Sequence, residues 1–174
     1  MSRSEPFTAP SAVPTAVRRG SDGVLVAAAR ALRAGHHDRC EAHCRQVLEL
    51  DPNHPQAVEL LGLAAFRGGH PADALPLLRR ATQLDPRPPL AWHNLGVAHA
   101  AAGQFAAAAE AYRAAVQRQP YHLPSLLGLA QCLRDLGLLP DAAAAAAQIL
   151  RLDPHHPEAR LLLDELTPQL RDAA

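Results

Sequence analysis

Proline stands at one interval throughout this chain: Pro52, Pro86, Pro120 and Pro154 are each 34 residues from the next. Three of them follow an Asp (Asp51, Asp85, Asp153) and the fourth follows Gln119. Gly35, Gly69, Gly103 and Gly137 keep the same period. Proline drives the residue before it out of helical conformation, and glycine offers the left-handed conformation that ends helices. Two such columns in register predict a stack of identical small units. In such a stack each unit contacts only its neighbours, and function lies on an extended surface rather than in a catalytic pocket.

The unit from Pro89 to His122 is the clearest. Trp92, Leu95, Gly96 and His99 fall at i, i+3, i+4 and i+7, one face of a helix. Gly103 closes that helix. A second helix carries Ala108, Tyr112 and Ala115 on one face and stops at Gln119-Pro120. Small residues at Gly96 and Ala108 let the two helices approach closely. Such a hairpin cannot bury its apolar faces alone.

The pattern Trp92-x2-Leu95-Gly96-x2-His99, then Ala108-x3-Tyr112, then Pro120, resembles the tetratricopeptide repeat, with His99 where a Tyr is usual. Val24, Ala27, Ala28, Cys40, Cys44 and Pro52 take these places in a first unit. In a second they are Val58, Leu61, Gly62, Ala74, Leu78 and Pro86, and in a fourth Leu126, Leu129, Ala130, Ala142, Ala146 and Pro154. The resemblance implies an all-α, right-handed superhelical solenoid of helix-turn-helix repeats, with units at 21–54, 55–88, 89–122 and 123–156. Cys44 and Ala146 replace a large aromatic, which predicts looser packing in the outer units. Pro76 falls inside the second helix of unit two, predicting a bent or late-starting helix. Leu161, Leu162, Leu163 and Leu166 predict a helix over Pro157–Thr167, within a C-terminal segment 157–174, that reads as a cap, its rival being a fifth repeat cut short. The start, 1–20, is rich in Pro, Ser, Ala and Thr without apolar periodicity and reads as a disordered tail.

In this family the first helices of successive repeats line a concave groove that receives a peptide or an amphipathic helix. By that resemblance the groove candidates are Leu25, Ala29 and Leu32 in unit one, and Glu59, Leu63, Phe66 and Arg67 in unit two. Unit three adds His93, Asn94, Val97 and Ala101, and unit four Leu127, Gln131 and Arg134. Leu63, Phe66, Val97 and Leu127 form an apolar strip with polar neighbours, unless they pack between repeats. Asn94 is the sharpest candidate, since a carboxamide both donates to and accepts from a ligand backbone. The bland alternative is a local hydrogen bond within the repeat. The Lys and Asn set that clamps a C-terminal carboxylate elsewhere in the family is absent, because the chain has no Lys.

His36-His37-x2-Cys40-x2-His43-Cys44 has residue types that suit zinc. Cys40 and Cys44, however, take core places, where buried Cys acts as a small hydrophobe, so no metal site is assigned. His54, His122 and His156 recur just after each Pro and read as turn-filling polar residues. Seventeen Arg balance seventeen Asp plus Glu, and aromatic residues are 3% of the chain, which argues against nucleic-acid binding. No run reaches membrane-spanning length, so membrane insertion is not expected. Three Cys fit a reducing, cytoplasmic compartment better than a disulfide framework. Ser125 is the only Ser well inside the repeats and no phosphate loop is present, so no enzyme activity and no cofactor are expected. The reading is a non-catalytic adaptor or scaffold that binds another protein. Its rivals are an accessory repeat region of a glycosyl- or sulfotransferase, and a self-assembling homo-oligomer in which Leu161, Leu162 and Leu166 dock on another copy.

Overall fold

The punctuation of the sequence becomes the punctuation of the fold. In the computed structural model, which describes residues 15–172, nine helices follow one another and no strand occurs among the described residues. They are α1 (Thr15–Arg33), α2 (His37–Leu50), α3 (Pro55–Arg67), α4 (Pro71–Leu84), α5 (Pro89–Ala101), α6 (Phe105–Arg118), α7 (Leu123–Asp135), α8 (Leu139–Leu152) and α9 (Pro157–Asp172). None is long and apolar enough to cross a membrane.

Each hairpin reverses at its glycine. Gly35, Gly69, Gly103 and Gly137 have φ of 77, 86, 71 and 74°, which a Cβ would strain. The next N–H then reaches back over the turn: His36 to Ala31 O, His70 to Ala65 O, Gln104 to His99 O and Leu138 to Leu133 O, all at 2.9 Å. These bonds satisfy carbonyls that the ended helix leaves free.

Between units the Asp-Pro step does the equivalent work. The Oδ1 atoms of Asp51, Asp85 and Asp153 accept from the N–H two residues on, at 3.2, 3.1 and 3.1 Å. The recurrent histidines then start the next helix. Nδ1 of His54, His122 and His156 accepts the N–H of Ala57, Ser125 and Ala159 at 3.4, 3.3 and 3.3 Å, the bond of a helix N-cap.

Odd-numbered helices pack against one another in the series α1–α3–α5–α7–α9, whereas even-numbered helices touch only odd ones. The inner row is therefore close-set and the outer row splayed, which curves the stack and makes the odd helices its concave wall. Between the rows lie the columns expected from the sequence. Ala28, Ala130, Cys40, Ala74, Ala108 and Ala142 are wholly buried, and Cys44, Leu78, Tyr112 and Ala146 behind them are 0, 1, 4 and 0% exposed. Leu162 and Leu166 of α9 close the end of this core beside Ala142 and Ala146.

Four expectations are corrected. Helix α1 begins at Thr15, inside the segment read as a tail, while residues 1–14 of that segment lie outside the described residues. Helix α4 starts on register at Pro71 and runs through Pro76. The lost N–H would have met the carbonyl of Ala72, an exposed residue, so the missing bond falls on the solvent side of the helix. The capping helix continues past Thr167 to Asp172, again through a proline, Pro168. Leu162 and Leu166 are 4 and 0% exposed in this chain's own core, which leaves only Leu161, 71% exposed, to meet another copy.

Candidate functional site

The concave wall is built from side chains that pair between neighbouring repeats, one position apart across the 34-residue period. At the α1–α3 junction the pair is apolar: Leu25 and Leu60 share one buried cluster. At the α3–α5 junction the equivalent places hold Glu59 and Asn94, and Asn94 Nδ2 donates to Glu59 Oε1 at 2.8 Å. At the α5–α7 junction they hold His93 and Gly128. Here the Tyr112 ring fills the space, and a Cβ on Gly128 would lie 2.5 Å from its Cζ. Oil meets oil, carboxylate meets amide, and ring meets glycine.

Asn94 is therefore engaged. Its bond is neither to a ligand nor within its own repeat, but joins repeat two to repeat three. Glu59 is largely withdrawn from water, and this burial raises its carboxyl above the usual range against the opposing pull of Asn94. Both were named as groove candidates from their own helices; their pairing is found only by comparing positions 35 apart.

His93 belongs to a second polar knot. Ser125 Oγ lies 3.0 Å from His93 Nδ1 and 2.7 Å from His122 Nδ1. Because His122 Nδ1 also accepts the Ser125 backbone N–H, it bears no proton. The hydroxyl thus donates to His122, and His93 Nδ1–H donates to the hydroxyl. The two imidazoles meet edge-on, with centroids 5.1 Å apart. Burial and then the neighbouring His122 lower the pKa of His93. Ser125 is wholly buried, so its hydroxyl cannot meet a substrate.

The remaining candidates divide by exposure. Leu25 and Leu32, expected on the groove, are 3 and 6% exposed and belong to the core between α1, α2 and α3. Ala29 is half-buried and borders a small concavity with Asp22, Val26, Arg33 and Gln56. Leu63, Phe66, Val97 and Leu127 are each half-buried, packed against core residues but not sealed by them. Arg67, Ala101 and Gln131 are exposed. Arg134 is held by Asp135 at 2.9 Å and by Glu165 of α9 at 3.5 Å, which ties the cap to the wall.

Sulfur and the missing tyrosine find structural employment. Cys40, Cys44 and Cys132 are buried, and burial raises all three thiol pKa values, so they stay protonated and apolar. Among the described residues no three His, Cys, Asp or Glu converge as a metal site would require. His99, in the usual tyrosine place, is 4% exposed, and its Nδ1–H donates to Gln104 Oε1 at 2.7 Å across the hairpin turn. Sequence reasoning missed one further contact, in which Arg118 lies 4.8 Å over the Trp92 ring. Both side chains also donate to the Pro86 carbonyl, joining two units through their loop.

Tetratricopeptide-repeat profiles match residues 25–86, 60–122 and 99–166. The chain belongs to the tetratricopeptide repeat family. No curated protein sequence matches it significantly. Among solved structures, MamA superposes with a TM-score of 0.76 at 22% identity, over 83% of this chain and 86% of that one. YrrB, described as a TPR protein with an unusual peptide-binding site, gives 0.78 at 17% identity over 92 and 86%. The O-GlcNAc transferase of Thermobaculum terrenum, as its K341M mutant, gives 0.72 at 28% identity over 79% of this chain. This tetratricopeptide repeat chain spans only 27% of that protein.

Proposed function

We propose that this tetratricopeptide repeat protein is a non-catalytic adaptor that holds a segment of another protein along its concave wall. The observation that carries the reading is the continuous inner row α1–α3–α5–α7, with half-buried Leu63, Phe66, Val97 and Leu127 between polar neighbours. Partly open apolar side chains framed by polar ones suit a segment that brings a few anchoring side chains and leaves the rest in water. The likeness to YrrB supports the peptide-binding part.

The test is selection of random peptides on the intact chain, followed by affinity measurements on two variants. Ala101→Arg with Gln131→Arg alters exposed positions of the concave wall, and Gln46→Arg with Gln117→Arg alters exposed positions of α2 and α6. The expected outcome is a loss of about tenfold or more in the first and no change in the second. Equal affinities in both variants would move the site off the wall.

A second reading has one observation in its favour. The match to a repeat-bearing transferase supports a role as the substrate-presenting region of such an enzyme. A transferase domain encoded in the same reading frame, or co-purifying stoichiometrically, would establish it. The intact chain alone binding its segment with full affinity would count against it.

A further inference from the structure

A cavity of about 420 Å³ opens where the starts of α3 and α5 meet the end of α4. Pro55, Ala81, Pro88, Leu90 and Ala91 give it apolar walls, and Glu59 contributes a carboxylate. One Glu59 oxygen accepts from Asn94; the other has no hydrogen-bond partner among the described residues. It is not sealed either, because no described side-chain oxygen is both buried and unpaired. Among the described residues no cation forms an ion pair with this carboxylate, whose pKa burial raises and Asn94 lowers.

We propose that this cavity seats one basic side chain, an arginine or lysine, of the segment bound along the concave wall, with Glu59 as its counter-ion. The inference rests on the adaptor reading for the course of that segment. Shape and charge both select this occupant. The aliphatic stem of a basic residue suits Pro, Leu and Ala walls, and its head needs an acceptor at depth. An apolar anchor would leave the carboxylate without a partner in a still drier site, which is costly. An anion would meet a formal negative charge. Helix N-termini ordinarily attract anions, but Pro55 and Pro89 lack an N–H at the first position of α3 and α5, and His54 already occupies the Ala57 N–H. Asp85, at the rim, spends its charge on Arg87 through bonds of 2.8 and 2.9 Å.

A proton linkage follows. Burial holds the Glu59 carboxyl above its usual range, so a cation that needs the ionised form binds more tightly as pH rises through that value, and a proton leaves. The titratable groups that line the cavity beside it are His54, which caps α3, and Asp85, which follows α4 and is paired with Arg87.

The experiment titrates the full chain with N-acetyl-arginine amide and with N-acetyl-norleucine amide, which has the stem without the charge, following the amide resonances of Gln56, Glu59 and Ala91. Saturable shifts with the arginine probe alone are expected, weakened about tenfold or more in Glu59→Gln, which keeps the acceptor for Asn94. Gln56→Arg, which lines the same cavity and supplies an internal guanidinium, should weaken the probe similarly. Equal response to both probes, unchanged binding by Glu59→Gln, or no saturation would overturn the inference. The two readings fail separately. Selected peptides that bind the wall with no fixed basic position would end this proposal and leave the adaptor. Saturable arginine binding beside peptides indifferent to the concave variant would end the adaptor and leave the basic-residue pocket.

Discussion

Glu59 and Asn94 stand where Leu25 and Leu60 stand one repeat earlier, so the chain contains its own control for the worth of a polar pair. Asn94→Ala removes the only donor that the described residues supply to a largely buried carboxylate and should cost about 1–3 kcal/mol in denaturant melts. Glu59→Leu with Asn94→Leu rebuilds the apolar pair and should recover most of that loss, because burying two matched apolar groups carries no desolvation penalty. Additive losses in the double variant would show that the two residues do not act as a pair. Two titrations pull stability in opposite directions. His93 has a lowered pKa, so its contribution is present above about pH 6.5 and is lost as pH falls through the folded value. Glu59 has a raised pKa, so its contribution is full below about pH 4.3 and is lost as pH rises through the folded value. Glu59→Gln should therefore raise the neutral-pH melting point, and His93→Phe should flatten the acid limb. Melts across pH that leave either limb unchanged would contradict the assignment.

At the scale of the helix, small residues decide how near two rods can lie. A Cβ on Gly96 would sit 2.7 Å from Tyr112 Cε1, so Gly96→Ala should cost about 1–3 kcal/mol through overpacking. Combining it with Tyr112→Leu should give less than the summed loss, since the shorter side chain vacates the ring; strict additivity would separate the two sites. Gly137→Ala meets no neighbour, but its φ of 74° should cost about 1–2 kcal/mol from backbone alone. Boundaries such as Gly69 and Pro86 were legible in the sequence because their causes are local, one residue forcing one dihedral. The helical start at Thr15 was not, because Gly20 and Gly23 break the apolar rhythm that would have announced it. Leu25 and Leu32 were misplaced for a different reason. A single helix shows which residues share a face, but which faces meet depends on a neighbour 35 residues away. Glu59, His93 and Asn94 were named as groove candidates, Asn94 foremost, while the bonds that join Glu59 to Asn94 and His93 to Ser125 become visible only after stacking.

Across the whole molecule, stability passes from neighbour to neighbour and ends at α9. Leu162 and Leu166 share the final core cluster with Leu133, Ala142 and Ala146. A chain ending at residue 156 should expose that cluster and fray α7 and α8 first, while α3 and α4 keep their protection. Amide hydrogen exchange resolves this, and a uniform loss along the chain would refute nearest-neighbour stability. Leu166→Ala in the full chain should cost about 2–5 kcal/mol, with the same gradient of exchange. The splayed outer row has a mechanical consequence as well. With the odd helices in mutual contact and the even helices apart, the inner wall acts as the hinge line. The stack can then flatten or curl by changing only the gaps behind it. A bound segment that bridges α3, α5 and α7 would clamp that hinge line, so occupancy of the wall would register as bending stiffness of the entire spring.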